Sequence, residues 1–196
     1  MLMTPFFAGF LAFESLAAKY TALCIFVLAT LTDWYDGYLA RKSGDITATG
    51  KYLDPLADKL LVSTAFGVFC YLGYVQLWMV VLIISRDILI TGLRAYALSK
   101  GKLFETSSLA KWKTACQMVA IYVLFIWLLA SETYPTKETQ PALLQDAEES
   151  NFIWSMMFLV TLYTVATGVS YLLENRRHLK SLAIAFYRVF VPTNVR

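Results

Sequence analysis

Four aspartates stand close together in a chain that otherwise contains little charge: Asp33, Asp36, Asp54 and Asp58. The members of each pair are three or four residues apart, so on a helix each pair shares one face. Carboxylates gathered in a poorly hydrated site repel one another unless a cation lies among them. Oxygen ligands select hard divalent cations, and a pair of such ions can stabilise both the attacking and the leaving oxygen of a phosphoryl displacement. The spacing therefore predicts a site for Mg²⁺ or Mn²⁺, with two ions.

Small residues and one arginine accompany the aspartates. Gly37, Ala40 and Gly50 lie at helical spacing from them and leave room for a ligand to approach the backbone. Arg41 can donate two parallel hydrogen bonds to a phosphate. Together these features indicate a site for a nucleotide diphosphate.

Two antiparallel helices would bring the carboxylate pairs together. The polar, glycine-containing stretch 41–49 predicts a short turn between a helix that carries the first pair and a helix that carries the second. A simpler interpretation is that the first pair merely ends one helix and that the second lies in the first turns of the next, where carboxylates suit the helix dipole. That interpretation is weak for the whole set, because acids in a membrane segment are costly and by default functional.

The composition is that of a membrane protein. Of 196 residues, 58% are hydrophobic and only 16% are charged, whereas soluble domains are usually about 45–50% apolar. A net charge of +3 is too small to suggest a nucleic-acid partner. We expect an all-α, polytopic bundle of six transmembrane helices in the lipid bilayer, with the whole chain, 1–196, as one domain. The expected spans are 1–13, 20–41, 50–72, 77–98, 109–130 and 152–173.

The segments outside the long spans set the expected orientation. The first span is shorter than the roughly 20 residues that a crossing needs, which suggests a truncated first helix. Residues 131–150 predict a mobile polar loop without chemistry, and residues 174–196 predict a basic juxtamembrane tail. Lysines and arginines concentrate on the side of the aspartates, so the positive-inside rule predicts a site that faces the cytoplasm and a loop 131–150 on the other side. The expected location is the inner (plasma) membrane.

Four cationic side chains fall within or beside the fourth and fifth spans: Arg86, Arg94, Lys111 and Lys113. One interpretation is structural: the arginines form an ion-pair network with Asp87, and the lysines extend to the membrane interface. The other interpretation is that the cations line a polar cavity that binds the phosphate of an anionic substrate. The sequence leaves both interpretations open.

The spacing of the aspartates resembles a known signature. The pattern D-x-x-D-G-x-x-A-R, eight further residues and G-x-x-x-D-x-x-x-D is similar to that of the CDP-alcohol phosphatidyltransferase family, and the chain matches every fixed position. The resemblance implies transfer of a phosphatidyl group from CDP-diacylglycerol to a hydroxyl acceptor, with release of CMP. It implies that Asp58 is the catalytic base. The residues that it implies for binding the CDP-lipid are Asp36, Gly37, Ala40, Arg41 and Gly50.

Two segments outside the aspartate motif resemble one branch of this family. Residues 83–94 (IISRDILITGLR) and 111–115 (KWKTA) are similar to the phosphatidylglycerophosphate synthase branch of the family. That branch implies sn-glycerol 3-phosphate as the acceptor, and the family implies a homodimer. A phosphate on the acceptor would accept several charge-assisted hydrogen bonds from the four cations. A cardiolipin synthase and a phosphatidylinositol-phosphate synthase share the core motif and stay as alternatives. The non-enzymatic alternative is an ion-coupled transporter, which would not need the small residues beside the carboxylates.

Overall fold

The computed structural model describes residues 3–13, 15–43, 50–99, 108–136 and 138–176. Within these ranges the chain forms seven α-helices and no strand. The helices are α1 Met3–Ala12, α2 Leu16–Ser43, α3 Gly50–Tyr71, α4 Leu77–Ser99, α5 Ser108–Thr133, α6 Ala142–Glu149 and α7 Phe152–Glu174. The prediction of an all-α fold is confirmed for the part of the chain that is described.

Five of the six predicted spans correspond in position to long helices. The helices α2 to α5 and α7 coincide to within a few residues with the second to sixth of them. Among the described residues, two segments are long and apolar enough to cross a membrane, Trp112–Thr133 and Phe152–Glu174. Two further apolar segments, Leu16–Thr32 and Lys59–Tyr71, are shorter. These lengths and compositions are those of a helical membrane protein.

A layer of four aromatic rings forms the core where α1, α2, α3 and α5 meet. Phe125 of α5 contacts Phe26 of α2 and Phe69 of α3, with ring centroids 5.5 and 5.1 Å apart. Phe7 of α1 lies 5.4 Å from Phe26. All four side chains are fully buried, and their tilted or edge-on contacts suit the charge distribution of aromatic rings. The layer fixes α2 and α3 against α5.

The last long helix, α7, packs against α4 and α5. Its buried residues include three threonines and a glycine, namely Thr161, Thr164, Thr167 and Gly168. Small side chains let helices approach closely in a membrane, where lipid already satisfies the apolar surface. Gly168 lies directly against the Arg86 side chain of α4.

The polar insert between α5 and α7 contains a short helix that the sequence analysis did not predict. The helix α5 continues to Thr133, and α6 then forms after Pro141, whose fixed φ suits the start of a helix. None of the α6 residues is buried, although the helix contacts α7. Part of the stretch predicted as a mobile loop is therefore ordered as a helix.

Candidate active site

Both halves of the aspartate motif lie on helices. The residues are Asp33, Asp36, Gly37, Ala40 and Arg41 on α2, and Gly50, Asp54 and Asp58 on α3. Asp36 has an exposed side chain, and the side chains of the other seven lie outside the described residues. The described side chains contain no group of three or more potential metal ligands, but three of the four aspartates are not among them. The metal site therefore stays a prediction.

Contacts between α2 and α5 give the depth of the first aspartate pair. Lys19 of α2 is buried and forms an ion pair with Glu132 of α5, and the hydroxyl groups of Thr30 and Tyr122 are 2.9 Å apart. The two helices are thus antiparallel, and eleven residues along α2 correspond to ten along α5. Continuing this register by about one and a half turns brings Asp36 to the depth of residues 115–117 of α5.

The second aspartate pair approaches the same depth along α3. From Phe69 in the aromatic layer back to Lys59 is about 15 Å along the helix, and from Phe125 back to Lys113 is about 18 Å. Asp58 directly precedes Lys59 in the sequence. The backbone of α3 at Asp58 therefore lies at about the depth of Lys113 on α5.

A buried carboxylate, Asp87 of α4, is the centre of a polar cluster at this depth. Its Oδ1 accepts hydrogen bonds from the side chains of Lys113 on α5 and of Arg86, the latter at 3.2 Å from Nη1. Its Oδ2 accepts a hydrogen bond from Nε2 of Gln117 at 3.4 Å. Asp87, Lys113 and Gln117 are each at most 5% exposed. Because the site is buried, the two cations and the carboxylate interact more strongly than they would in water.

Lys59 joins the cluster from the motif helix α3. Its Nζ donates to the backbone oxygen of Asp87 at 3.4 Å and to the hydroxyl of Thr91, both on α4. The Thr91 hydroxyl in turn donates to that same backbone oxygen at 2.7 Å. These contacts connect the second half of the motif to the Asp87 cluster, because Lys59 is the residue after Asp58.

The side chains of two arginines of α4 contact α7. Nη2 of Arg86 donates to Oγ1 of Thr167 at 3.3 Å. Cζ of Arg94 lies 5.8 Å from the centre of the Tyr171 ring, a cation–π distance, and Tyr171 is itself buried. The Nε atoms of both arginines are buried and have no hydrogen-bond partner among the residues that the structure describes.

The described side chains carry more positive than negative charge here. Arg86, Arg94 and Lys113 are three cations, and Asp87 is the one carboxylate that pairs with any of them among the described residues. These three cations therefore share one carboxylate among the described side chains, while three motif aspartates at a similar depth have side chains outside the described residues. Uncompensated charge in a membrane protein is costly and favours an anionic ligand.

The structure brings together two of the four predicted phosphate-binding cations. Arg86 and Lys113 meet on Asp87, whereas Arg94 lies on Tyr171 and the side chain of Lys111 is outside the described residues. The alternative that Lys113 extends to the membrane interface is wrong, because this side chain is buried and ion-paired. The structural interpretation is confirmed in part: Arg86 and Lys113 form ion pairs with Asp87, whereas the described contact of Arg94 is with Tyr171.

Four polar members of the cluster were missed by the sequence analysis: Lys59, Thr91, Gln117 and Thr167. Two of them had a signal. Lys59 follows a motif aspartate inside an apolar segment, and Gln117 lies one helical turn after Lys113, on the same face. The threonines had none, because a threonine within a membrane helix ordinarily bonds to its own backbone.

Known proteins are similar to this chain over most of its length. The model of the family described as CDP-alcohol phosphatidyltransferase matches residues 1–161. A protein of Bacillus subtilis (strain 168) named CDP-diacylglycerol–glycerol-3-phosphate 3-phosphatidyltransferase is 36% identical over 184 residues, which are 92% of this chain and 88% of that protein. Proteins of the same name from Cereibacter sphaeroides and Wigglesworthia glossinidia brevipalpis are 40% identical over 120 residues and 39% identical over 142 residues. These matches cover 60% and 68% of this chain, and 54% and 74% of the two relatives. The chain therefore belongs to the CDP-alcohol phosphatidyltransferase family, as its motif predicted.

Proposed function

We propose that this protein transfers the phosphatidyl group of CDP-diacylglycerol to sn-glycerol 3-phosphate, which gives phosphatidylglycerophosphate and CMP. The relatives described above are named for this reaction, and one of them matches 92% of the chain. The observation that supports the choice of acceptor is that two cations, Arg86 and Lys113, share the carboxylate of Asp87 near the depth of the second aspartate pair. A phosphate on the acceptor could accept charge-assisted hydrogen bonds from both of these cations.

The donor set of the motif suits a divalent cation. Asp33, Asp36, Asp54 and Asp58 offer only carboxylate oxygens, which are the ligands that Mg²⁺ and Mn²⁺ prefer. When bound, one or two such ions would polarise the diphosphate of the donor lipid and stabilise the charge that develops on CMP. The helix spacing favours this role, because each aspartate pair shares one helix face.

The residues around the aspartates suit the nucleotide end of the donor. Gly37, Ala40 and Gly50 leave space beside the helix backbones for cytidine and ribose, and Arg41 can hold a phosphate through paired hydrogen bonds. Asp36 would lie next to this space on α2. The acyl chains of CDP-diacylglycerol stay in the bilayer.

The acceptor phosphate is assigned to the cations of α4 and α5. Arg86 and Lys113 already share one carboxylate oxygen, so a phosphate that enters can take hydrogen bonds from both while Asp87 keeps Gln117 as a donor. Arg94 and Lys111 complete the proposed phosphate-binding set. The free hydroxyl of the acceptor would then face α3, where Asp58 removes its proton during attack on the diphosphate.

The proposed setting is the inner (plasma) membrane, with six spans and the active site open to the cytoplasm. The helices α1 to α5 and α7 are the six proposed spans, and the excess of lysine and arginine near the motif supports this orientation. The basic tail, 174–196, would lie on the cytoplasmic leaflet, the insert 131–150 would lie on the other side, and two copies would form a homodimer. Cytidine nucleotides and glycerol phosphate are charged solutes that such a site would take from the cytoplasm.

The test is CMP release by the purified protein with CDP-diacylglycerol, Mg²⁺ and a panel of acceptors. We expect the highest kcat/KM with sn-glycerol 3-phosphate, and a much higher KM for glycerol, which differs from it only by the phosphate. Preference for inositol phosphate, phosphatidylglycerol or serine would overturn the acceptor assignment and leave a sibling activity of the family. Absence of CMP release with every acceptor would favour the alternative of an ion-coupled transporter.

A further inference from the structure

The face of α7 that packs against α4 contacts the side chain of Arg86. The family match ends at residue 161, and the contacting residues, Thr167 and Gly168, lie beyond it. Thr167 is 8% exposed, and its hydroxyl accepts a hydrogen bond from Nη2 of Arg86 at 3.3 Å. The same hydroxyl donates to the backbone oxygen of Thr164 at 2.9 Å, which fixes its orientation.

Because Gly168 has no side chain, it leaves the space that the side chain of Arg86 occupies against α7. A Cβ atom at this position would be 2.8 Å from Cγ of Arg86 and 3.0 Å from its Nε. Cγ is close to the helix backbone, so moving it displaces the whole guanidinium group rather than only the end of the chain. Any side chain at position 168 therefore changes the direction in which Arg86 points.

The other contacts of Arg86 do not by themselves fix its guanidinium. Among the described residues, its hydrogen bonds go from Nη1 to Asp87 and from Nη2 to Thr167, and its buried Nε has no partner. Asp87 is shared with Lys113, so its carboxylate would be redistributed when an anion enters the cluster. The contact with α7 involves neither Asp87 nor Lys113.

We propose that Thr167 and Gly168 of α7 are positioning residues, which hold the guanidinium of Arg86 in the direction needed to bind the phosphate of the acceptor. This inference rests on the proposed function, because it takes Arg86 as a phosphate ligand. A guanidinium fixed in advance loses little conformational entropy on binding, and a small displacement weakens both hydrogen bonds that a phosphate can accept from it. The effect on catalysis therefore falls on acceptor binding.

The first experiment compares Gly168→Ala with two control substitutions, Gly67→Ala on α3 and Gly92→Ala on α4. A Cβ at either control position would meet nothing within 4 Å. We expect Gly168→Ala to raise the KM for sn-glycerol 3-phosphate about tenfold, the loss expected for one charge-assisted hydrogen bond. The KM for CDP-diacylglycerol and the kcat at saturating acceptor should stay within about twofold of wild type, as should all constants of the controls. A KM for the acceptor equal to that of Gly92→Ala would overturn the inference.

Two further variants separate positioning from folding. Thr167→Ser keeps the hydroxyl and should keep the KM for the acceptor, whereas Thr167→Val removes it and should raise that KM several-fold. In an Arg86→Ala background, Gly168→Ala should add nothing, because the side chain that it displaces is gone. An equal effect of Gly168→Ala with and without Arg86 would mean that the glycine only serves helix packing, and the inference would be wrong.

The wild-type protein distinguishes failure of the inference from failure of the proposed function. If it prefers another phosphorylated acceptor, the acceptor assignment is wrong, and the same shifts in KM are expected for that acceptor. If it prefers an acceptor without a phosphate, or releases no CMP, both the proposed function and the inference are overturned. If it uses sn-glycerol 3-phosphate as proposed and Gly168→Ala leaves the KM unchanged, the inference alone fails.

Discussion

The substitution Lys113→Met removes a buried charge from the proposed acceptor site while keeping an unbranched side chain of similar length. Lys113 is 4% exposed and shares Oδ1 of Asp87 with Arg86. In the free protein, Asp87 would keep Arg86 and Gln117 as donors, so the carboxylate would not be left unpaired. In the proposed complex, the acceptor phosphate would lose one of its donors, and Arg86 would be held more tightly by Asp87.

The substitution should change two quantities, the KM for the acceptor and the stability of the protein. A hydrogen bond to a charged group contributes about 1.5–3 kcal/mol, so the KM for sn-glycerol 3-phosphate should rise about 10- to 100-fold. Removing one partner of a buried ion pair costs about 3–5 kcal/mol when the other is left alone. Because Asp87 keeps two other donors, we expect a cost nearer to about 1–2 kcal/mol, which lowers Tm by about 2–8 °C in a chain of this length.

The assay measures both Michaelis constants by CMP release, with Lys19→Met as the control. Lys19 is also a buried lysine in an ion pair, 5% exposed and bound to Glu132, but it lies at the opposite end of the bundle. Lys19→Met should destabilise the protein without changing the KM for the acceptor. The acceptor assignment is refuted if Lys113→Met raises the KM values of both substrates equally, or if Lys19→Met raises the KM for sn-glycerol 3-phosphate as much as Lys113→Met does.

Chelation by EDTA, or the substitution Asp54→Asn or Asp58→Asn, should lower CMP release at least about 100-fold while the protein stays folded; full turnover in chelator would contradict the metal site. In sealed membranes of a variant without native cysteines, Lys102→Cys should be protected from an impermeant thiol reagent and Thr136→Cys should be modified, because the basic loops are predicted to be cytoplasmic. The reverse labelling would contradict the orientation. Phe125→Ala should lower the free energy of unfolding by about 3–5 kcal/mol, because its ring joins three helices in the core. An unchanged thermal midpoint would contradict the importance of that aromatic layer.

Most of the helices could be predicted from the sequence, including the two that carry the aspartate motif. The spans that it predicted agree with α2 to α5 and α7 because long apolar runs and their polar ends are local properties of the chain. The shared face of Asp33 and Asp36 likewise follows from helix geometry alone. The short helix α6 was missed, because a helix of only eight residues is not stable by itself and depends on its neighbours.

What the sequence by itself determined about this protein is thus its family motif, its helical membrane character and the presence of unusual cations in two apolar helices. Only the tertiary structure decided which residues those cations meet. Arg86 was expected beside Asp87, which is its neighbour in the sequence. Its partner Thr167 is 81 residues away along the chain, and Lys59 and Asp87, which are also in contact, are 28 residues apart. Such contacts depend on how helices rotate and cross when they pack, and the spacing along one helix carries no information about the rotation of the next. Local periodicity therefore fixed the elements, whereas the charge balance of the site was decided by packing between them.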